Sequence, residues 1–520
     1  MRSPIIAAML AACSGLGPIA PPVPAPAAPA LDDAFPLAKL DERALCDRLL
    51  ARRPDDYRVI VDRAPARHTV LVSDLHIGPG TADPRFTGIE DFYSDREWGE
   101  FLDQLAGPTD LIIDGDFIEF WQIAAALHAL PERDGRVQPG NGLVLAEDQR
   151  FAVDAAELVI AAHPTVFRDL GRFLARPDHR VILIPGNHDA DLLWPKVQLR
   201  IARAIAPADP SRLVFVDGAA YEHSGLHVEH GHAIDAANRF ATGYAPFGRD
   251  RDGRCRIQAS WGEIFVDKFY TETERQIPFI DNLYPESAAI LWELRADPRS
   301  VEHGLGAGVR FLELVKSAES GALNASAATS ALQSLFGTPE PSAAGVVDQL
   351  TERLARRDAN AASIVEALWR LHSDPDLAQL WSAMLDAARA LPDVGAAIAA
   401  LRRVDPDALA HLRDRAFGDV EETAAARMLG GPNDIRVVVL AHTHTVGGRT
   451  ATLDAHGRTG YFANTGSWIS VASVAELVAR GVTWDKLSLA DRTMFPSKRT
   501  AVIVDFDGGV PRPPVVINAH

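Results

Sequence analysis

Five short apolar runs each end in side chains that can hold a metal ion. Val70-Leu71-Val72-Ser73 leads into Asp74-Leu75-His76, and Leu111-Ile112-Ile113 into Asp114-Gly115-Asp116-Phe117-Ile118-Glu119. Val181-Ile182-Leu183-Ile184 leads into Pro185-Gly186-Asn187-His188-Asp189, and Leu226-His227-Val228-Glu229 into His230-Gly231-His232. Val437-Val438-Val439-Leu440 leads into Ala441-His442-Thr443-His444. Imidazole and carboxylate donors without thiolate suit borderline or harder divalent cations such as Mn, Fe or Zn. In open α/β sheets ligands gather at the carboxyl ends of strands, so five such ends can serve one centre. Asp-x-His and His-x-His place alternate residues on one side of an extended segment. Any one cluster alone is more simply a cap or a satisfied turn.

Taken in order, Asp-x-His, Gly-Asp-x-x-(Asp/Glu), Gly-Asn-His-Asp, His-Gly-His and His-x-His resemble the motifs of the calcineurin-like metallophosphoesterase superfamily. The resemblance covers roughly residues 67–240 and 433–510. It implies an α/β fold, the metallophosphoesterase β-sandwich flanked by helices (α/β/β/α). It also implies two divalent ions about 3.5 Å apart, manganese favoured over iron or zinc. Asp74, His76 and His444 would bind the first ion, Asp116 would bridge both, and Asn187, His230 and His442 would complete the second. His188 matches the family's histidine that contacts the phosphate and helps the leaving group depart, and Asp189 would orient that imidazole. The implied chemistry is attack on phosphorus by a metal-bridging hydroxide.

Glu119 stands where the second motif usually has Asp, which predicts a longer contact there or none. Either His230 or His232 is the fourth-strand ligand; His230 is favoured because it shares a face with Leu226 and Val228. The His-Gly-His-x-x-Asp context, ending at Asp235, resembles the branch containing UDP-2,3-diacylglucosamine pyrophosphohydrolases. The expected substrate is therefore a phosphodiester or pyrophosphate, on a phosphorylated small molecule or a lipid-linked one. The alternatives are a phosphomonoesterase and a non-catalytic scaffold of the same fold. Gly115 and Gly186 read as tight turns after strands. Asn464-Thr465-Gly466-Ser467-Trp468 reads as a turn supporting the site. His163, His223 and His227 read as packing, capping or strand residues, and Asp114 as a satisfied strand-end carboxylate.

These clusters need a sheet to carry them. Strand-like runs at 69–73, 110–114, 181–185, 213–217 and 226–230 alternate with helical stretches at 94–106, 151–175 and 191–206, which predicts an α/β sheet covered by helices. Leu45, Leu49 and Leu50 mark a short amphipathic helix over 41–53. Residues 241–432 are alanine-rich with helical periods at 343–356, 361–371, 376–390 and 394–402, so an all-α insertion is expected, either a cap or a peripheral domain. Sheet-like sequence returns at 435–440, 460–463 and 500–506. The metallophosphoesterase domain is thus expected over 41–240 and 433–520.

The formal net charge of −18 and the lack of a basic stripe argue against nucleic acid as the main partner. Apolar content of 47% and charged content of 23% are globular values and exclude wholesale disorder. Residues 1–13 pair one cation with the apolar run Ile5–Cys13, which is far short of the ~20 residues that span a bilayer. The segment reads as a signal peptide. Its end, Leu10-Ala11-Ala12-Cys13, resembles a lipoprotein lipobox, so an exported, periplasmic or cell-envelope protein anchored through Cys13 is expected. Residues 14–40, rich in Pro and Ala, read as a linker. Three cysteines exclude a disulfide scaffold, and whether Cys46 and Cys255 pair stays open.

Overall fold

The computed structural model describes residues 31–86, 88–127, 145–235, most of 238–284, 420–483 apart from 456, residues 486 and 495, and 498–519. The signal-like segment 1–13, the lipobox and the four helical periods between 343 and 402 lie outside the described residues.

The apolar runs form strands. In chain order these are β1 (Val59–Asp62), β2 (His68–Val72), β3 (Thr109–Asp114), β4 (Arg180–Ile184), β5 (Leu213–Phe215), β6 (Ala220–His223) and β7 (Leu226–Glu229). Next come β8 (Phe247–Arg249), β9 (Cys255–Ile257) and β10 (Leu283–Tyr284). The chain later adds β11 (Val437–Leu440), β12 (Arg449–Ala455), β13 (Arg458–Asn464), β14 (Ala472–Ser473) and β15 (Thr500–Val504). It ends with β16 (Phe506–Asp507), β17 (Val510–Pro511) and β18 (Val515–Asn518).

Two six-stranded sheets result, in the orders β18-β15-β2-β3-β4-β5 and β1-β6-β7-β11-β13-β12. In the first, β2 to β5 run parallel and β15 lies antiparallel to β2. In the second, β7, β11 and β13 are parallel neighbours. Because β11 pairs with β7, this sheet is complete only when chain from both sides of the insertion meets.

Successive side chains in β2, β3 and β4 serve two layers. Leu71, Ile112 and Ile182 pack with Leu226, Val228, Val437, Val439 and Ala463 between the sheets. Val70, Val72, Leu111, Ile113, Val181 and Leu183 pack with Phe101, Val159, Leu170 and Ile201 of the covering helices. These helices are Asp95–Gln104, Gln149–Ala162, Pro164–Ala175 and Pro195–Ile205. The outer face of the second sheet, through Val438, Leu440 and Phe462, packs on Ala425 and Leu429. Parallel strands buried on both faces explain the unbroken apolar runs in a mixed α/β fold. Each such side chain contributes ~1.5–3 kcal/mol on full burial.

Several expectations need correction. The stretch 151–175 is two helices: Pro164 has no N–H to continue the first and opens the second at its N1 position. The helix at 41–53 is shorter, Glu42–Leu50, with Asp41 accepting the Ala44 N–H at 2.8 Å, and Leu50 points outward. Residues 31–39, expected as linker, form helical turns, and Leu31, Phe35 and Leu37 pack on the main core. The segment placed at the start of an all-α insertion contains the β8–β9 hairpin, whose Phe247, Cys255 and Ile257 belong to the same core. Cys46 and Cys255 form a disulfide that ties this hairpin to the first amphipathic helix. Among the described residues, no helix is long and apolar enough to cross a membrane.

Candidate metal centre

Six strand ends meet along one edge of the stacked pair of sheets. β2, β3 and β4 deliver Asp74 and His76, Asp116 and Glu119, and Asn187 and His188. β7, β11 and β13 deliver His230, then His442 and His444, then the Asn464–Trp468 turn. The sheets are tied across this edge. His230 Nδ1 donates to Asp114 O at 2.7 Å. Trp468 N–H and Ser467 Oγ donate to Asp74 O at 3.1 and 3.3 Å. The turn therefore supports the site by holding the Asp74 backbone.

Bends, not extended strand, bring the ligands together. Asp74 (φ +50°), His76 (+44°), Asp116 (+50°), His442 (+70°) and His444 (+48°) are all left-handed, which corrects the alternation expected within each motif. Non-glycine residues rarely adopt this region, and such strain persists where the surroundings over-determine it. At Asp116 the surroundings are the Asp189 carboxylate. It accepts N–H groups from Asp116 (3.2 Å), Phe117 (2.7 Å), Ile118 (3.4 Å) and Gly186 (2.6 Å). Gly115 has φ +80° and lies so close to His230 that a Cβ would overlap the ring. Gly186 is needed for room alone, since its Cβ would run into the Asp116 carboxylate.

Among the described residues, three groups hold ligand atoms within 4.8 Å of one another: Asp74, His76 and His444; Asp116, His230 and His442; and His76, Asp116 and His188. Asp116 Oδ2 lies 3.0 Å from His230 Nε2 and 3.7 Å from His76 Nε2, so it stands between the two larger arms of the site. Asn187 Oδ1 lies 3.1 Å from His230 Nε2. His444 Nε2 lies 3.1 Å from both His76 Nε2 and Asp74 Oδ1. Asp74 Oδ1 is buried and accepts no well-formed hydrogen bond. Ring nitrogens facing one another beside such an oxygen fit a divalent cation, which would satisfy all of them at once. The His230 tautomer fits too: its Nδ1 proton is spent on Asp114 O, leaving Nε2 for an ion.

The electrostatics agree with the donor set. Burial alone would raise the Asp116 pKa, but His230 and His188 outweigh it and hold the carboxylate well below its usual range. The same contest, decided by His444 and His230, lowers Asp74. Burial lowers and Asp116 raises the His230 imidazole, which ends near 10. In the polypeptide alone, protonated histidine thus supplies the positive charge that an ion would bring.

His188 sits beside these groups with an unexpected partner. Its Nδ1 meets Glu119 Oε2 at 2.8 Å, and the same oxygen lies 2.8 Å from His76 Nδ1. Against burial, His188 and His76 lower the Glu119 pKa to about 2, so it stays ionised. Trp121 stacks on the other side of His188 at 4.0 Å. Asp189 therefore does not orient the imidazole, as the motif suggested; its oxygens are occupied by backbone amides. Glu119 makes a close contact where a longer one or none was expected.

His230 lies among the candidate ligands. His232 is buried behind it, against Phe240, where burial pushes its pKa down to about 3. His163 holds the cap position between two helices, as expected, its N–H donating to Val159 O and its buried ring packing on Phe92; beyond that, the ring pairs with Asp95 at 3.0 Å and Glu90 at 3.2 Å. His227 pairs with Glu222 and Glu229, and His223 is buried in its strand. Asp114 is not satisfied: neither carboxylate oxygen has a hydrogen-bond partner, and burial pushes its pKa well up. Trp121 and Asn238 escaped the sequence reading, which offers no motif for either. Compared with known proteins, the chain matches no family model and no curated sequence.

Proposed function

We propose that this chain is a dinuclear metal-dependent phosphoester hydrolase acting on a phosphodiester or pyrophosphate of a small molecule or lipid-linked substrate. The carrying observation is Asp116, standing between the Asp74–His76–His444 group and the His230–His442 group. The order of the five motifs, which resembles that of calcineurin-like metallophosphoesterases, supports the same reading. Asp74, His76 and His444 would hold one divalent ion and Asn187, His230 and His442 the other, with Asp116 shared and manganese favoured. Bound there, two such ions would polarise phosphoryl oxygens and lower the pKa of water toward neutrality.

The chain's own residues supply the rest. His188, with Nδ1 committed to Glu119, keeps Nε2 for the phosphate and for protonating the leaving group. Glu119 fixes the tautomer, and Trp121 fixes the plane of the ring. Asp189 acts only through backbone, holding Asp116 in place. Export to an oxidising compartment, with attachment through Cys13, is part of the proposal, and the Cys46–Cys255 disulfide supports it.

The test compares turnover of bis-p-nitrophenyl phosphate and p-nitrophenyl phosphate by the purified chain with manganese. Faster diester turnover is expected. Faster monoester turnover would replace the substrate class, and bound metal without turnover of either would favour the scaffold.

A further inference from the structure

We propose that Asp235 is a positioning residue of the second ion site, acting through His442; the proposal rests on the metal reading above. Asp235 lies on the turn after β7, three residues past His232. Its Oδ2 lies 3.2 Å from His442 Nε2. Asn238 Nδ2 donates to the same oxygen at 2.7 Å and lies 3.5 Å from His442 Nε2. The turn is itself fixed, since Asp235 N–H donates to His232 O at 3.2 Å and Arg239 N–H to Asp235 O at 3.0 Å.

The His442 ring is thus held at both ends. On the main-chain side, its left-handed backbone places its N–H 3.4 Å from Asp74 Oδ2. On the far side, the Asp235 carboxylate takes Nε2. With Nε2 so engaged, Nδ1 is the nitrogen left for an ion in the group that His442 forms with Asp116 and His230. A carboxylate on the outer nitrogen keeps the proton there, leaves the inner lone pair free and makes it a better donor.

Two other candidate ligands have the same arrangement, each with its own outer partner. His230 Nδ1 donates to Asp114 O, and His76 Nδ1 meets Glu119. Asp235 is the corresponding partner for His442. The contact also reaches the start of the inserted segment. A Cβ at Gly262 would run into Asn238 Oδ1 and would lie 3.4 Å from Trp121, the ring that stacks on His188. Gly262 therefore backs the Asp235 partner on one side and the His188 partner on the other.

The test is manganese binding by equilibrium dialysis, with the visible absorption of the cobalt-loaded protein as a second readout. Wild type is expected to bind two ions. Asp235→Asn keeps the shape and an oxygen for Asn238 but removes the charge, so a merely structural role would leave both affinities alone. The expected result is a loss of about 10–100-fold at one site, with the other site and the melting temperature of the metal-free protein unchanged. The cobalt spectrum should change for the weakened site only. Should that variant fail to fold, Asp235→Ser is measured for the same one-sided loss. Two unchanged affinities, or equal loss at both sites, would overturn the proposal. Wild type that binds no manganese would instead overturn the metal reading on which it rests.

Discussion

Glu119 Oε2 lies 2.8 Å from His188 Nδ1, and the rest of that carboxylate is engaged as well: Oε1 accepts the Gln122 N–H at 3.0 Å. Because Oε2 also meets His76, a single side chain sets the orientation of one candidate ion ligand and of the residue proposed to carry the proton. The two rings meet nearly at right angles, with centroids 4.6 Å apart. Aspartate, one methylene shorter, would have to draw β3's end toward both rings to do the same.

Glu119→Gln should therefore move a pH profile as well as a rate. Burial lowers the His188 pKa, but Glu119 and Asp116 outweigh it and raise it above the ordinary imidazole value. Removing the Glu119 charge takes away part of that rise. A histidine that donates a proton is lost to catalysis as pH climbs through its pKa. The alkaline limb of kcat should shift to lower pH, with kcat above neutrality reduced about 10–100-fold. A rate loss with an unmoved alkaline limb would contradict the assignment.

Metal content separates the ligand roles from the proton-transfer role. Asp116→Asn removes the carboxylate that stands between the two donor groups, so bound manganese should fall together with nearly all turnover. His188→Ala should keep both ions and still slow turnover about 10²–10⁴-fold. Elemental analysis of the two purified variants beside their rates decides this. A His188→Ala protein stripped of its metal would place His188 among the ligands, in the group it forms with His76 and Asp116.

Much of the site was legible because strand burial and ligand chemistry are both local signals. Val181–Ile184 reads as a buried parallel strand, and Asn187-His188-Asp189 as the polar turn at its carboxyl end. The features that escaped depend on tertiary contact. β1 and β6 are four residues each, and β1 pairs only with β6, about 160 residues on, while β6 also forms a hairpin with β7 across Ser224-Gly225, so such short runs carry little period to read. The β8–β9 hairpin falls inside the expected helical insertion because three-residue strands leave no pattern to read. The left-handed bends at Asp74, His76, Asp116, His442 and His444 fall on Asp and His, which enter this region more readily than other side chains, yet too rarely for residue type alone to mark them. Asp189 and Glu119 show the same limit: the motif gives two acids near His188, and only the backbone path says which one reaches the ring.

Two histidines outside the site should make stability fall as pH rises. Burial works against protonation of His163, but Asp95 and Glu90 raise its pKa to about 9. His227 is likewise raised to about 9 by Glu222 and Glu229. A folded pKa above the unfolded value of ~6.5 gives stability that is full below that pH and lost as pH climbs through the folded value. At ~1.4 kcal/mol per unit, each contributes of the order of 3–4 kcal/mol. Denaturant unfolding of the metal-loaded protein should show the loss between about pH 6.5 and about pH 9. His163→Gln should flatten part of it. Glu90 also accepts the Gly78 and Gly80 N–H groups at 3.3 and 2.6 Å, so loss of charge at His163 should loosen the loop that follows His76.

The Cys46–Cys255 bond closes a loop with a sequence separation of 209. Both residues are buried in the main core, one on a nine-residue helix and the other on a short hairpin. In the chain-entropy picture, a loop of this length restrains the unfolded chain by roughly 5 kcal/mol. Reduction, or the Cys46→Ser and Cys255→Ser pair, should therefore lower the melting temperature by several degrees at least. The effect should fall on the part of the fold that meets the start of the insertion. Limited proteolysis should then cut first between about residues 240 and 260, next to the hairpin. A reduced protein that melts unchanged, with its thiols free by titration, would show that the packing of Phe247 and Ile257, the Ile257 backbone bonds to Ala146 and Glu147 and the Arg249–Asp47 pair hold the hairpin without the disulfide.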